Sequence, residues 1–152
     1  MPTLETDILF ELIRSKRNCL EQILVMGRRQ MELIELDQMA ALLDLLASKQ
    51  RALTELQQIE RQLDPFRNQA PESRCWRSEE ARRQCADELQ SCAALLAEII
   101  GGEKRAERAM VHRRDKAAAQ LQGMHKAGRA RASYTRPSAT AVSQIDLCSD
   151  AS

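Results

Sequence analysis

Apolar residues recur every three or four positions through the first 34 residues of the chain, and charged residues lie between them. Residues at this spacing share one face of an α-helix, so the pattern predicts an amphipathic helix over residues 6–34. The short oxygen-bearing side chains of Thr6 and Asp7 can accept hydrogen bonds from a first turn, so we expect the helix to begin there. Its apolar face consists of Leu9, Leu12, Leu20, Ile23, Met31 and Ile34.

A second periodic run, close to a seven-residue repeat, predicts another helix over residues 38–63. Lys49 interrupts the repeat once, and Asp37 is the only candidate N-cap between the two helices. Because no Gly or Pro marks this join, local pattern leaves open a single continuous helix, whereas the usual length of helices favours a turn. The repeat contains Met39, Leu42, Leu46, Lys49, Leu53, Leu56, Ile59 (or Glu60) and Leu63.

Two prolines, Pro65 and Pro71, follow the second helix. Proline disfavours helical geometry in the residue before it, so we expect Asp64 to leave the helix. The segment 64–71 is therefore predicted to be a loop.

A third periodic run predicts a long helix over residues 74–126. Gly101 and Gly102 lie inside it, and two interior glycines weaken a helix by about 2 kcal/mol relative to alanine. Because the apolar positions stay in phase on both sides, we expect the glycines to kink the helix rather than divide it. These positions are Trp76, Cys85, Leu89, Cys92, Leu96, Ile99, Ala106, Met110, Ala117, Leu121 and Met124.

Composition agrees with an all-α fold. Aromatic residues make up only 3% of the 152 residues, and five glycines and four prolines are too few for the turns of an all-β domain. Three amphipathic helices cannot bury their apolar faces alone, so we expect an antiparallel coiled-coil bundle over residues 1–127. From residue 128 onward the chain is small, polar and without periodicity, which predicts a disordered tail over residues 128–152.

The chain has neither a secretory signal pattern nor a run of 18 apolar residues, which predicts a soluble protein without a membrane span. Two of its five cysteines, Cys85 and Cys92, occupy apolar helix positions seven residues apart, too distant along one helix to form a disulfide. Small buried thiols of this kind suit a reducing compartment. We therefore expect a cytosolic location.

The net charge of +1 conceals a strongly basic segment. Residues 104–136 carry ten basic and two acidic side chains, a local charge of +8. Such a segment can attract nucleic acid, an anionic membrane or an acidic protein. Tyr134 is its only aromatic residue and no nucleic-acid-reading motif surrounds it, so nucleic-acid binding is a lesser alternative to a helical partner surface.

The sequence contains no pattern typical of catalysis. His112 and His125 are thirteen residues apart, and neither an H-E-x-x-H nor a C-x-x-C spacing occurs. A glycine-rich phosphate loop needs a preceding strand, which no segment predicts. We expect no enzyme, no bound metal and no cofactor.

Residues 35–60 read ELDQMAALLDLLASKQRALTELQQIE. An Asp opens this run, pairs of Leu follow, and a Lys-Gln step leads into Leu-rich turns that end near a Glu. The run resembles the second helix of the FlgN-type flagellar export chaperones. The order of elements over residues 8–135 is also similar to that family: an acidic first helix, this helix, a loop, a long third helix and a tail with a tyrosine.

The resemblance implies a cytosolic chaperone that binds hook-associated proteins, the subunits between hook and filament, before their export by the flagellar type III apparatus. In that family, amphipathic helices near the substrate's C-terminus are captured with the chaperone's own C-terminal helical region. Carried onto this chain, Tyr134 corresponds to a tail tyrosine that docks to the export gate. The implied partner-binding face consists of Leu96, Ile99, Ala106, Met110, Ala117, Leu121 and Met124.

The same heptad patterns also occur in structural coiled coils. A scaffold or homo-oligomer without any export role is therefore the main alternative function. A scaffold should form a fixed homo-oligomer without a partner, whereas a chaperone should change when a hook-associated helix is added.

Overall fold

The computed structural model describes residues 2–135 and contains three long helices with no strand in that range. They are α1 (Glu5–Glu35), α2 (Met39–Arg67) and α3 (Glu79–Thr135), with one 3₁₀ turn at Pro71–Ser73. The predicted all-α fold of three helices packed against each other is confirmed. α3 includes residues 128–135 of the predicted tail, and residues 136–152 lie outside the described part of the chain.

α2 runs antiparallel to α1. The Cys19 thiol near the middle of α1 donates to the Ala52 carbonyl at 3.3 Å, and Gln30, further along α1, accepts from Lys49, which comes earlier in α2, at 2.8 Å. Early residues of α3 contact early residues of α1, as in the 3.7 Å contact from the Cys92 thiol to the Ile13 carbonyl. α3 is therefore parallel to α1 and antiparallel to α2.

The three helices bury two apolar clusters, which we call the main core and the minor core. The apolar faces predicted for α1 and α2 largely point inward, because a heptad-like spacing keeps one row of side chains toward the neighbouring helices. The minor core contains Leu33, Ile34, Leu42 and Ala106. The main core contains Leu9, Ile13, Cys19, Leu20, Ile23, Ala52, Ile59, Leu63, Cys85 and Cys92.

A three-residue turn separates α1 from α2, which resolves the open question of one helix or two. Asp37 adopts a left-handed conformation with φ 58°. The Gln38 N–H donates to the Leu33 carbonyl at 3.0 Å and the Asp37 N–H donates to the Ile34 carbonyl at 3.1 Å, the two bonds of a Schellman motif. The prediction that Asp37 caps α2 is wrong, because its φ makes it part of the C-terminal cap of α1.

Replacing Asp37 with Gly should stabilise the protein by about 0.5–1 kcal/mol, because glycine adopts positive φ without the steric penalty of a Cβ atom. The measurement is the free energy of unfolding from urea titration. Asp44→Gly is the matched control, since Asp44 lies exposed inside α2, where glycine should cost about 1 kcal/mol. A loss of stability in Asp37→Gly would contradict the turn geometry.

The first turn of α1 differs in detail from the prediction. Leu4 is the N-cap, and its backbone N–H donates to the Asp7 carboxylate at 2.9 Å, so Asp7 supports the cap from the third helical position. The Thr6 hydroxyl is buried and donates to the Cys75 carbonyl at 2.8 Å. Thr6 therefore ties α1 to the loop before α3 instead of capping the helix.

α2 ends at Arg67, four residues beyond the predicted end, and Pro65 lies inside it. The expectation that Pro65 forces Asp64 out of the helix is wrong. Two contacts hold the last turn in place: Phe66 packs against the main core, and the Arg67 guanidinium forms an ion pair with Glu60. Tertiary packing here overcomes the tendency of the residue before a proline to leave the helix.

α3 begins at Glu79, five residues later than predicted, because Ser78 provides a true N-cap: its hydroxyl accepts from the Ala81 N–H at 3.0 Å. Trp76 therefore lies in the loop and not in the helix. Gly101 and Gly102 are both helical, so they do not divide α3.

The chain separates into two compact units, with the boundary after Met110. The first unit contains α1, α2 and the part of α3 that packs on them. In the second, residues 111–134 are helical and their side chains are exposed, except for the partly exposed Arg113 and Ala132. Within residues 2–135, no helix is both long and apolar enough to cross a membrane.

Candidate functional site

A cleft of about 660 Å³ lies at the end of the bundle where α2 finishes and α3 begins. We call it the end cleft. Its walls are lined by apolar side chains of all three helices and of the connecting loop, and four cationic side chains also line it. The apolar residues include Leu9, Leu63, Phe66, Trp76 and Leu89, and the cationic ones are Lys16, Arg67, Arg74 and Arg82.

Three of the four residues in the inward row of α3 are small. Cys85, Cys92 and Ala106 are buried and Ile99 packs against the main core, and these four residues are seven positions apart along one row. Small residues at this row let α3 approach its neighbours closely, because the helix axes are separated only by the side chains between them.

A second row of α3 remains exposed although it is apolar. Leu89, Leu96 and Met110 share this row with Glu103, again at intervals of seven residues. Leu96 is 41% exposed and Met110 is 39% exposed. Glu103 forms an ion pair with Lys49 of α2, and Leu89 lines the end cleft beside Leu63 of α2, so this row faces the α2 side of α3.

A matching row lies on α2. At intervals of seven residues this row contains Met39, Leu46, Leu53, Glu60 and Arg67. Met39 and Leu46 are more than one-third exposed, whereas Leu53 packs against the main core and Glu60 forms an ion pair with Lys16 of α1. Arg67 lines the end cleft together with Leu89 and Arg82 of α3. On the opposite flank of α2, the negative charge of Glu55 acts on the Cys19 thiol of α1. The row with Met39 and Leu46 therefore borders α3.

These two rows flank the line along which α2 and α3 meet, and we call the exposed apolar surface between them the α2–α3 groove. The groove spans about 32 Å between Leu89 and Met110, at a rise of 1.5 Å per residue. The next row outward on each helix is also exposed. None of the residues in this outer row is charged between Leu43 and Gln57 on α2, or between Ala86 and Ile100 on α3. The walls are Met39, Leu46, Leu89, Leu96 and Met110, and the outer positions are Leu43, Gln50, Gln57, Ala86, Ala93 and Ile100.

A buried polar layer crosses all three helices between the main core and the minor core. The Lys49 ammonium donates to the Gln30 amide oxygen at 2.8 Å and forms an ion pair with Glu103. Only 8% of the Lys49 side chain is exposed, and burial lowers its pKa. Because all three side chains must meet, this layer fixes the relative register of the helices, as single buried polar residues do in coiled coils.

The buried cysteines are inert packing residues. Cys19, Cys85 and Cys92 are free thiols, and burial raises the pKa of each, which keeps the thiol protonated. The predicted burial of Cys85 and Cys92 is thereby confirmed. Among residues 2–135, no group of His, Cys, Asp and Glu side chains has an arrangement that could hold a metal ion.

The structure separates the predicted partner-binding residues into three sets. Leu96 and Met110 lie in the α2–α3 groove, whereas Ile99 packs against the main core and Ala106 belongs to the minor core. The others are exposed residues of the second unit. They are Ala117, Leu121 and Met124, and Tyr134 in the same unit is also exposed.

Helical periodicity predicts that Met39, Leu46 and Leu89 belong to the buried faces, and the structure leaves them exposed. Leu89 and Cys92 are both apolar and three residues apart, so helical periodicity alone does not tell which row points inward. The sizes of the side chains could have distinguished them, because the row of Cys85, Cys92 and Ala106 permits a closer approach than a row of leucines.

No protein-family model, curated protein or solved structure matches this chain.

Proposed function

We propose that this protein binds an amphipathic helix of a partner protein in the α2–α3 groove and has no catalytic activity. The observation that supports the proposal is the set of exposed apolar residues on two neighbouring helices, which follow one another along the groove and are bordered by uncharged positions. A helix placed there would complete a four-helix bundle, in which each helix buries one apolar face.

The register of the two rows suits a single ligand helix. Lys49 lies opposite Glu103, and Leu63 lies near Leu89 across the end cleft. In this register Leu46 lies opposite Ala106 and near Met110, whereas Leu89 and Leu96 lie opposite Leu63 and Leu56, so the exposed apolar residues follow one another along the groove. The groove residues farthest from the end cleft are Met39 on α2 and Met110 on α3. Methionine suits a surface that binds more than one sequence, because its flexible side chain adapts to different apolar shapes.

For the identity of the partner, we propose C-terminal amphipathic helices of hook-associated proteins, bound in the cytosol before flagellar type III export. The support is the resemblance of residues 35–60 to the second helix of FlgN-type chaperones. That segment includes Met39 and Leu46, two of the groove walls. Tyr134, which is exposed on the second unit, is the proposed contact with the export gate.

The test is calorimetric titration of the full chain with a synthetic peptide of about 25 residues, enough to fill the groove. The peptide is the C-terminal segment of a hook-associated protein from the same organism. Leu96→Glu should weaken binding at least tenfold, because burial of a leucine side chain contributes about 1.5–3 kcal/mol and a carboxylate in the groove adds a desolvation cost. Stability should change little, since Leu96 is exposed in the free protein.

Val25→Glu is the control variant. Val25 is 63% exposed on α1, outside the groove, so its replacement should leave peptide affinity unchanged. Equal affinities of the wild type and Leu96→Glu would refute the groove. If no peptide binds and the protein is a fixed dimer by sedimentation, dissociated by Leu96→Glu, then the scaffold alternative is correct and a second copy covers the groove.

A further inference from the structure

Residues 111–135 of α3, which belong to the second unit, form a strongly basic segment that we call the basic helix. It carries six basic side chains and one acidic one, a charge of +5, whereas residues 1–110 carry 16 basic and 19 acidic ones, a charge of −3. The single acidic residue, Asp115, pairs with Arg114 at 3.4 Å in an exposed position, which contributes little in water. The basic residues are Arg113, Arg114, Lys116, Lys126, Arg129 and Arg131.

The positive charges surround the axis of the basic helix. At about 100° per residue, no gap between neighbouring cations exceeds about 100°. Lys116, Lys126 and Arg129 are all exposed. Because Lys126 and Arg129 are three residues apart on one side of the helix, their like charges repel each other. A ligand that presents negative charge to several sides of the helix would neutralise these cations and relieve that repulsion, whereas a protein helix covers only one face.

The basic helix lacks the wide apolar face of a helix that lies on a membrane or joins a coiled coil. Arg114 precedes Leu121 by seven residues and Arg131 follows Met124 by seven, so arginines interrupt both of its apolar rows. Eight of its residues are Ala or Gly, which bury little surface. Its chemistry therefore suits a polyanion better than an apolar surface.

Among polyanions, duplex DNA fits the shape of the basic helix. The major groove of B-DNA is about 12 Å wide and accepts an α-helix between two rows of phosphates, and small side chains such as alanine keep this helix slim. The major groove of duplex RNA is too narrow for side chains to enter. Proteins that bind single strands stack bases on aromatic side chains, and Tyr134 is the only aromatic residue of the basic helix.

We propose that the basic helix binds double-stranded DNA by lying in the major groove and pairing with phosphates of both strands. Arg114, Lys116, Lys126 and Arg129 supply the contacts. Phosphate contacts carry no sequence information, so binding is independent of base sequence. The basic helix shares no residue with the α2–α3 groove, so this activity is additional to the binding of a partner helix.

The test is fluorescence anisotropy of a labelled DNA duplex of about 20 base pairs, two helical turns, titrated with the full chain at several salt concentrations. Contacts of four cations with phosphates predict a slope of about −3.6 when the logarithm of the association constant is plotted against that of the salt concentration. Affinity should therefore fall about a hundredfold between about 50 and 200 mM salt. An RNA duplex of the same sequence, and the single DNA strand, should each bind at least about fivefold more weakly.

The combined variant Lys126→Gln and Arg129→Gln should make the slope shallower by about 1.8, because two phosphate contacts are lost. The matched control combines Arg61→Gln with Arg83→Gln. Arg61 and Arg83 are exposed cations of the first unit, so this variant has the same net charge as the test variant and should retain the wild-type slope. All four side chains are exposed, so neither variant should lose stability.

The proposal is overturned if the DNA duplex does not bind at low salt, if the control variant weakens binding as much as the test variant, or if the RNA duplex binds as tightly as DNA. Polyglutamate and vesicles of anionic phospholipid represent an acidic protein and a membrane. Equal affinity for either of them, at the same concentration of negative charge, would refute duplex DNA as the ligand.

This proposal and the proposed function can fail separately. Leu96→Glu, which alters the groove, should leave the salt slope of DNA binding unchanged. The combined Lys126→Gln and Arg129→Gln variant should in turn leave the affinity for the hook-associated peptide unchanged.

Discussion

Glu103→Ala should destabilise the protein by about 2–3 kcal/mol, because it leaves the Lys49 ammonium buried without its carboxylate. Removal of one member of a fully buried ion pair typically costs about 3–5 kcal/mol. The expected value is smaller here for two reasons. The Glu103 side chain is 46% exposed, and Lys49 keeps its hydrogen bond to Gln30. The free energy of unfolding from urea titration is the measurement.

The control is the same substitution in a Lys49→Met background. Methionine has a similar length and no charge, so Glu103→Ala should then cost less than about 0.5 kcal/mol. Lys49→Met alone should be neutral or stabilising by about 1 kcal/mol or more, as replacements of buried charges by apolar side chains often are. Equal costs of Glu103→Ala in both backgrounds would show that Glu103 acts independently of Lys49.

The polar layer also predicts a dependence of stability on pH. Burial lowers the pKa of Lys49 below its ordinary value of 10.5, so the folded protein binds this proton less tightly than the unfolded chain. Stability therefore rises with pH between the folded pKa and 10.5, and it is lowest and constant below the folded pKa, where the folded and unfolded states both hold the proton. Lys49→Met lacks this contribution, so its advantage over the wild type should shrink as the pH approaches 10.5.

The number and approximate length of the helices could be predicted from the sequence, because amphipathic periodicity reflects burial directly. α1 was predicted to within one residue at each end. The interruption of the heptad at Lys49 was also visible, but its partners were not. Gln30 and Glu103 come from two other helices, and their contacts depend on a helix register that one sequence does not define.

Element boundaries were predicted less well where a local preference competes with tertiary contacts. Pro65 is a strong local signal for the end of a helix, yet Phe66 packs against the main core and keeps α2 helical through Arg67. At Asp37 the residue type was compatible with two roles, an N-cap and a left-handed C-terminal cap. Only the observed φ of 58° distinguishes them.

The groove was the least predictable feature, because it depends on the rotation of α3 about its own axis. Cys85, Leu89, Cys92 and Leu96 are separated by four, three and four residues, which is the spacing of a coiled-coil seam. A seam of this kind predicts that both rows are buried together. In the structure α3 is rotated so that the cysteine row points inward and the leucine row borders α2 from outside.

This rotation predicts that Cys92→Leu destabilises the protein by about 1–3 kcal/mol. Cys92 is fully buried, and the added methyl groups of leucine would have to displace side chains of a closely packed core. Ala93→Leu is the control, because Ala93 is the exposed neighbour of Cys92 and its enlargement should change the free energy of unfolding by less than about 0.5 kcal/mol.

If both rows shared the interior in a looser seam, Cys92→Leu would instead add buried apolar surface and stabilise the protein. A gain of stability in Cys92→Leu would therefore contradict the inward orientation of the small row, and with it the exposure of Leu89 and Leu96 that creates the α2–α3 groove.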